Sequence, residues 1–159
     1  VNTPVKVLFD ECVTLPVLDA LLVSTGLSST STVIEHLLNK FPRGTPDDIW
    51  IPAIAEESPI VVTADRGARP SKGGKLPVLC EAFGVTHVVF SGALNQRPGF
   101  AKVRAIIDNW EGIIQTSSAP PGSRFNLNIV NSQLFRTKLV LAKEAPGAGE
   151  EPLQQRDLF

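Results

Sequence analysis

Cysteine is scarce: Cys12 and Cys80 are the two in the chain, and no Cys-x-x-Cys pair occurs. That argues against a disulfide framework and a cysteine zinc site, and makes a reducing compartment the default. Long apolar runs are absent, so no membrane span is expected. The amino terminus lacks the charged and apolar regions of a signal peptide, which points to a cytoplasmic protein. Methionine does not occur and the first residue is Val1, as initiator removal or trimming would leave it. An excess of one charge is missing as well: 15 basic residues stand against 16 acidic ones, for a net charge of -1. Any binding of a polyanion therefore has to come from a local patch rather than from the whole field. Nothing fits Gly-x-x-x-x-Gly-Lys-Ser/Thr, so phosphate binding by a P-loop is unsupported. There is no internal repeat.

What is present is the composition of one globular domain. The chain has 159 residues, 43% hydrophobic and 19% charged, enough to bury a core without covalent staples. Two apolar stretches end abruptly in acids: Val5 to Phe9 runs into Asp10-Glu11, and Ile60 to Ala64 runs into Asp65-Arg66. Both are β-branched, lack alternation and are bounded by Pro, Gly or charge, as fully buried strands of a parallel sheet are. Parallel strands point the same way, so Asp10, Glu11 and Asp65 should emerge together at the carboxyl edge, where open α/β sheets place their ligands.

Between and after these strands the periodicity alternates. Thr14 and Pro16 open a helix with Leu15, Leu18, Leu21 and Leu22 on one face, closed by Gly26. A strand over Thr30 to Ile34 follows, running into a short helix. Gly44-Thr45-Pro46-Asp47-Asp48 starts the next helix, with Thr45 at the N-cap, Pro46 at the first helical position and acids in the first turn. The loop from Asp65 to Lys75 carries four cations, Arg66, Arg69, Lys72 and Lys75. Leu76 to Phe83 is a helix closed by Gly84, and Thr86 to Phe90 is a buried strand. Phe100, Val103, Ile106, Ile107 and Trp110 define an amphipathic helix that should cover the sheet.

The alternation predicts an α/β/α sandwich around a central parallel sheet. Residues 1–115 form that domain on this reading. Residues 116–143 add a β-hairpin, preceded by a last strand at Ile113 to Gln115 and built from Phe125 to Ile129 and Leu134 to Leu141. Residues 144–159 are rich in Glu, Gln, Gly and Pro and are expected to form a disordered tail. An exposed edge strand at Phe125 to Val130 would invite sheet extension or homodimerisation.

Adjacent carboxylates at one strand end, with a third from a neighbouring strand, repel one another unless a proton or a cation intervenes. Hard oxygen ligands with vacant positions suit Mg²⁺ or Mn²⁺. Asp10 and Asp65 are the first candidates, with Glu11 diverging along the strand. Asp47 joins them if its turn packs at the sheet edge, though acids in a first helical turn also stabilise the helix itself. Arg66, Arg69 and Lys72, with Arg97 after the next strand, would rim this centre positively, as a phosphodiester substrate requires.

Phe9-Asp10-Glu11, Glu35-His36-Leu37, Gly44-Thr45-Pro46-Asp47 leading into Asp48-Ile49-Trp50-Ile51, and Val61-Val62-Thr63-Ala64-Asp65-Arg66 together resemble the PIN domains, in particular the VapC-type PIN-like toxins of bacterial toxin–antitoxin pairs. The resemblance covers residues 5 to 115. It implies a Mg²⁺- or Mn²⁺-dependent ribonuclease acting on single-stranded RNA or tRNA, with a cognate antitoxin that occludes the site. Asp10, Asp47 and Asp65 match the acidic metal positions, with Glu11 in addition. The chain departs from the pattern at Cys12, at Pro52 within the helix, and after the Thr86 to Phe90 strand, where Ser91 stands in place of a fourth acid. Two other readings compete: an inactive PIN-like binding module, and a receiver domain with Asp10-Glu11, Asp65 and Ser91, which would need a Lys after its last strand.

Overall fold

The computed structural model describes residues 3–11, 13, 16, 18, 20, 24–27, 31–67, 75–130 and 136–143. Its strands are β1 (Val5–Phe9), β2 (Thr32–His36), β3 (Ile60–Thr63), β4 (Thr86–Phe90), β5 (Arg124–Ile129) and β6 (Thr137–Lys143). The helices with fully described ranges are α1 (Leu37–Lys40), α2 (Asp47–Ala55), α3 (Leu76–Ala82), α4 (Gly92–Asn95), α5 (Gly99–Asp108) and α6 (Trp110–Gln115), and a 3₁₀ turn covers Thr116–Ser118. Pro16, Leu18, Ala20, Ser24 and Thr25 are also helical, ahead of Gly26. Cys12, Leu15, Leu21, Leu22, Arg69, Lys72 and the expected tail at 144–159 lie outside the described residues.

The six strands form one sheet in the order β2-β1-β3-β4-β5-β6, parallel throughout except for the antiparallel pair of β5 and β6. Strands β3 and β4 are buried at every position, which is why they read as unbroken apolar runs. Their side chains alternate between two cores. One gathers Val7, Phe9, Ile60, Val62, Val88 and Phe90 against Ala105, Ile106 and Ile113 of α5 and α6. The other gathers Leu8 and Val61 against Trp50, Ile51 and Ile54 of α2 and Leu76 and Cys80 of α3. Helices thus cover both faces, and the expected three-layer α/β/α sandwich with a mainly parallel sheet is observed.

Four local expectations are corrected. Ile113 to Gln115 is part of α6 rather than a strand. Short apolar runs do not distinguish the two periods, and here helical geometry buries Gly112 and Ile113 together. Strand β5 is not an exposed edge: it lies between β4 and β6, parallel to the first and antiparallel to the second. Its alternation arises because Phe125 and Leu127 face the larger core while Arg124, Asn126 and Asn128 are half-buried on the other face. The hairpin is therefore continuous with the sheet, and β6 is the edge. At the start of α2 the cap residue is Pro46, and the Thr45 hydroxyl donates back to the Pro42 carbonyl at 2.6 Å instead of capping. Finally, Phe100 does not cover the sheet; it is exposed at the first turn of α5.

Candidate active site

The winding of the sheet reverses at β1, with β2 on one side and β3, β4 and β5 on the other. Crossovers leave such a point on opposite faces, so the carboxyl ends of the two central strands border a crevice. Asp10 directly follows β1 and Asp65 stands two residues beyond β3, which brings both to it.

Asp10 is held by three bonds. Its N–H donates to the Val62 carbonyl at 3.1 Å, extending the ladder past the end of β1. Its Oδ1 accepts from the Glu11 N–H at 2.6 Å, and its Oδ2 accepts from the Thr63 hydroxyl at 2.7 Å. That same hydroxyl oxygen accepts the Asp65 N–H at 2.9 Å. The wholly buried Thr63 thus directs its proton at one acid while anchoring the backbone of the other. Asp65 in turn accepts the Gly67 N–H on Oδ1 at 2.7 Å. This turn needs glycine, because Gly67 has φ +68° and an added Cβ would stand 3.0 Å from Cδ of Pro77.

Asp47 arrives from the other core face. The buried indole of Trp50 donates to its Oδ1 at 2.9 Å, so a side chain one turn along α2 fixes the carboxylate. Burial raises the Asp47 pKa, the Trp50 hydrogen bond pulls it back, and the charges of Asp65, Asp10 and Asp48 add to the rise. The same neighbourhood reaches Cys80 beneath the site, whose thiol is pushed up to about 12 by burial and by the charges of Asp47 and Asp65. Asp10, Asp47 and Asp65 therefore share one electrostatic environment, whereas Asp48 is exposed.

Glu11 turns away from this group. It pairs with Arg43 at 3.1 Å and faces the Gly44 N–H at 3.4 Å, so it ties the turn that delivers Asp47 to the end of β1. Arg66 donates to the Phe90 carbonyl at 3.3 Å and bridges the edge from β3 to β4. Arg97 lies between α4 and α5, half-buried. Ser91 accepts the Leu94 N–H at 3.1 Å and caps α4. His36 accepts the Leu38 N–H on Nδ1 at 3.2 Å and meets the Val13 carbonyl through Nε2 at 2.6 Å. It holds the turn after Asp10 in place. Thr63, Trp50 and His36 were not anticipated. All three stand in the motifs that carry the resemblance, and Thr63 is in addition the last strand residue, two before an acid.

The donor set is all carboxylate; burial is the main cause of the raised Asp47 pKa, and the repulsion from Asp65, Asp10 and Asp48 that adds to it is the kind a divalent cation relieves. In the present arrangement Asp10 is turned to Thr63, Asp47 to Trp50 and Asp65 to Gly67. Among the described residues no three His, Cys, Asp or Glu side chains stand where they could share one ion. The chemistry of the set fits Mg²⁺ or Mn²⁺; holding one requires the carboxylates to turn toward one another.

Residues 5–72 match the model of a family described as a PIN like domain. The matched stretch runs from β1 past β3 and contains Asp10, Asp47 and Asp65, which supports a PIN-like domain with a nuclease-type fold. Neither the curated proteins nor the solved structures include a match to the chain. No helix among the described residues is long and apolar enough to cross a membrane.

Proposed function

We propose that the protein is a Mg²⁺- or Mn²⁺-dependent endoribonuclease of single-stranded RNA or tRNA. On this reading it is the toxin of a toxin–antitoxin pair, controlled by an antitoxin that covers the crevice. The observation that carries the nuclease reading is that Asp10 and Asp65 leave neighbouring strands at the same edge of the sheet and that their charges both act on Asp47. A bound ion would supply charge stabilisation at the scissile phosphate and a more acidic water. The protein's own part is to position: Thr63 fixes Asp10 and the backbone of Asp65, Trp50 fixes Asp47, and Glu11 anchors the turn before it. Asp10, Asp47 and Asp65 would hold the ion. Arg66, Arg69, Lys72 and Arg97 would place the phosphate backbone without reading bases. Binding of an antitoxin, or dimerisation of the chain, would occlude or complete this edge.

The test is calorimetric titration of Mn²⁺ and Mg²⁺ into the protein and into Asp10→Asn, with cleavage of single-stranded RNA followed in the same samples. Saturable binding and cleavage that are both lost in Asp10→Asn support the proposal. Full cleavage by Asp10→Asn removes that residue from the site. No metal binding favours the second reading, a PIN-like module that binds without cutting, which the separated carboxylates recommend. The receiver reading loses its requirement: β5 is the last parallel strand, and Val130-Asn131-Ser132-Gln133 after it contains no Lys.

A further inference from the structure

Phe100 is 64% exposed, the highest value among the exposed large hydrophobic residues described, while Ala105 and Ile106 of the same helix enter the core. Single exposed apolar side chains are ordinary, so exposure alone distinguishes nothing. The charge around it does. Ile49 follows Asp47 and Asp48, and Val78 and Phe83 lie close to Glu81, but from Gly84 to Ile107 the chain contains no acidic residue. Arg97, Lys102 and Arg104 fall within four residues of Phe100 in that stretch, in a protein whose net charge is -1. Arg104 is one helical turn beyond Phe100 and on the same face. Its ion pair with Asp108, at 3.4 Å, is largely exposed. Arg97 pairs with no carboxylate among the described residues.

The patch also lies on a path from the acids. The segment carrying it leaves β4 at Ser91, the same sheet edge from which Asp10 and Asp65 emerge. Strands β3 and β4 are neighbours, about 4.8 Å apart, and Arg66 already reaches the Phe90 carbonyl across that gap. Arg66 beside Asp65 thus reaches the end of β4, and the segment that leaves this end carries Arg97 and the exposed ring.

We propose that Phe100 is a stacking platform for a base of single-stranded RNA, with Arg97 and Arg104 on the adjoining phosphates, beside the acidic crevice. The choice of RNA rests on the ribonuclease reading above. An aromatic face flanked by cations is how single strands are held without sequence preference, because every base offers a π-face. Phenylalanine has no polar atom with which to read a base edge, so this contact adds affinity and register but not sequence choice. Arg104 can also lie against a stacked base or the ring itself.

The test measures the anisotropy of a labelled oligouridylate decamer with EDTA present, so that binding is read without cleavage. Phe100→Ala should weaken binding about five- to a hundredfold, the range expected for loss of one stacked base, and Phe100→Trp should keep it. A decamer lacking its bases should bind the protein and Phe100→Ala alike. Equal affinity of Phe100→Ala for the oligouridylate, or no binding by the unmodified protein, overturns the proposal. So does a change of oligomeric state in Phe100→Ala without a change in RNA affinity, which would make the ring a protein contact. Cleavage with Mn²⁺ is then assayed separately. Phe100-dependent binding without cleavage sinks the nuclease reading and leaves the platform standing; cleavage with Phe100-independent binding does the reverse.

Discussion

Lowering the pH should destabilise this protein through one buried residue of β4. His87 lies in the middle of the sheet, opposite Val61 of β3 and Arg124 of β5, and is 1% exposed. Both ring nitrogens are buried without a hydrogen-bond partner. Burial, and then the charge of Arg124, push its pKa from 6.5 down to about 3. The folded state therefore resists a proton that the unfolded chain accepts. Stability should be level above pH 6.5, fall as the pH drops through the window to about 3, and stop falling from this source below it. At about 1.4 kcal/mol per pKa unit the full loss is about 5 kcal/mol, and about 2 kcal/mol is already lost at pH 5. A domain of this size has only about 5–15 kcal/mol in total, so the effect should be visible well before global acid unfolding.

The assay is urea unfolding at pH 7, 6, 5 and 4 for the protein and for His87→Leu. Carboxylate titrations are common to both, so the difference between the two curves isolates the histidine. The gap should widen in favour of His87→Leu by about 2 kcal/mol at pH 5. At pH 7 the variant should already be at least as stable, because an unsatisfied buried polar group costs about 1–3 kcal/mol. Parallel curves, or a variant that loses stability at pH 7, would mean that the ring has a partner or reaches water, and the reasoning would fail.

Trp50→Phe removes the donor that holds the Asp47 pKa down, so in metal-free protein the Asp47 carboxyl should titrate at higher pH by carbon NMR; an unchanged or lower value would deny the hydrogen bond its role. Leu127→Ala should cost about 2–5 kcal/mol in urea unfolding, because Leu127 is fully buried in the main core; a cost under about 1 kcal/mol would mark β5 as peripheral. In a Cys12→Ser background, Cys80 should react with a disulfide reagent only as fast as the protein unfolds, since its thiol is buried and pushed up to about 12; rapid reaction in the native state would contradict this packing.

The amino-acid order by itself determined the buried strands and the edge at which they release their acids. Ile60 to Thr63 and Thr86 to Phe90 are continuous and β-branched, and Val5 to Phe9 is apolar and buried beyond Lys6, a pattern that suits strands covered on both faces. It also determined the turn that delivers Asp47, because Gly44-Thr45-Pro46-Asp47 restricts the local backbone strongly. Tertiary structure decided the rest. Ile113-Ile114 satisfies either period, and the core chose helix by taking Ile113 inward. Alternation in Phe125 to Ile129 records one packed face but not which strands lie alongside, and β4 and β6 supplied that answer. The partners of the acids, Thr63 for Asp10 and Trp50 for Asp47, follow from where strand ends and helix turns meet. Phe100 shows the same limit from outside: helical periodicity counts it with the apolar face, but at the first turn of α5 it stands at 64% exposure. Local pattern specifies backbone period and polarity, whereas neighbours distant in sequence are specified only by how the layers close on one another.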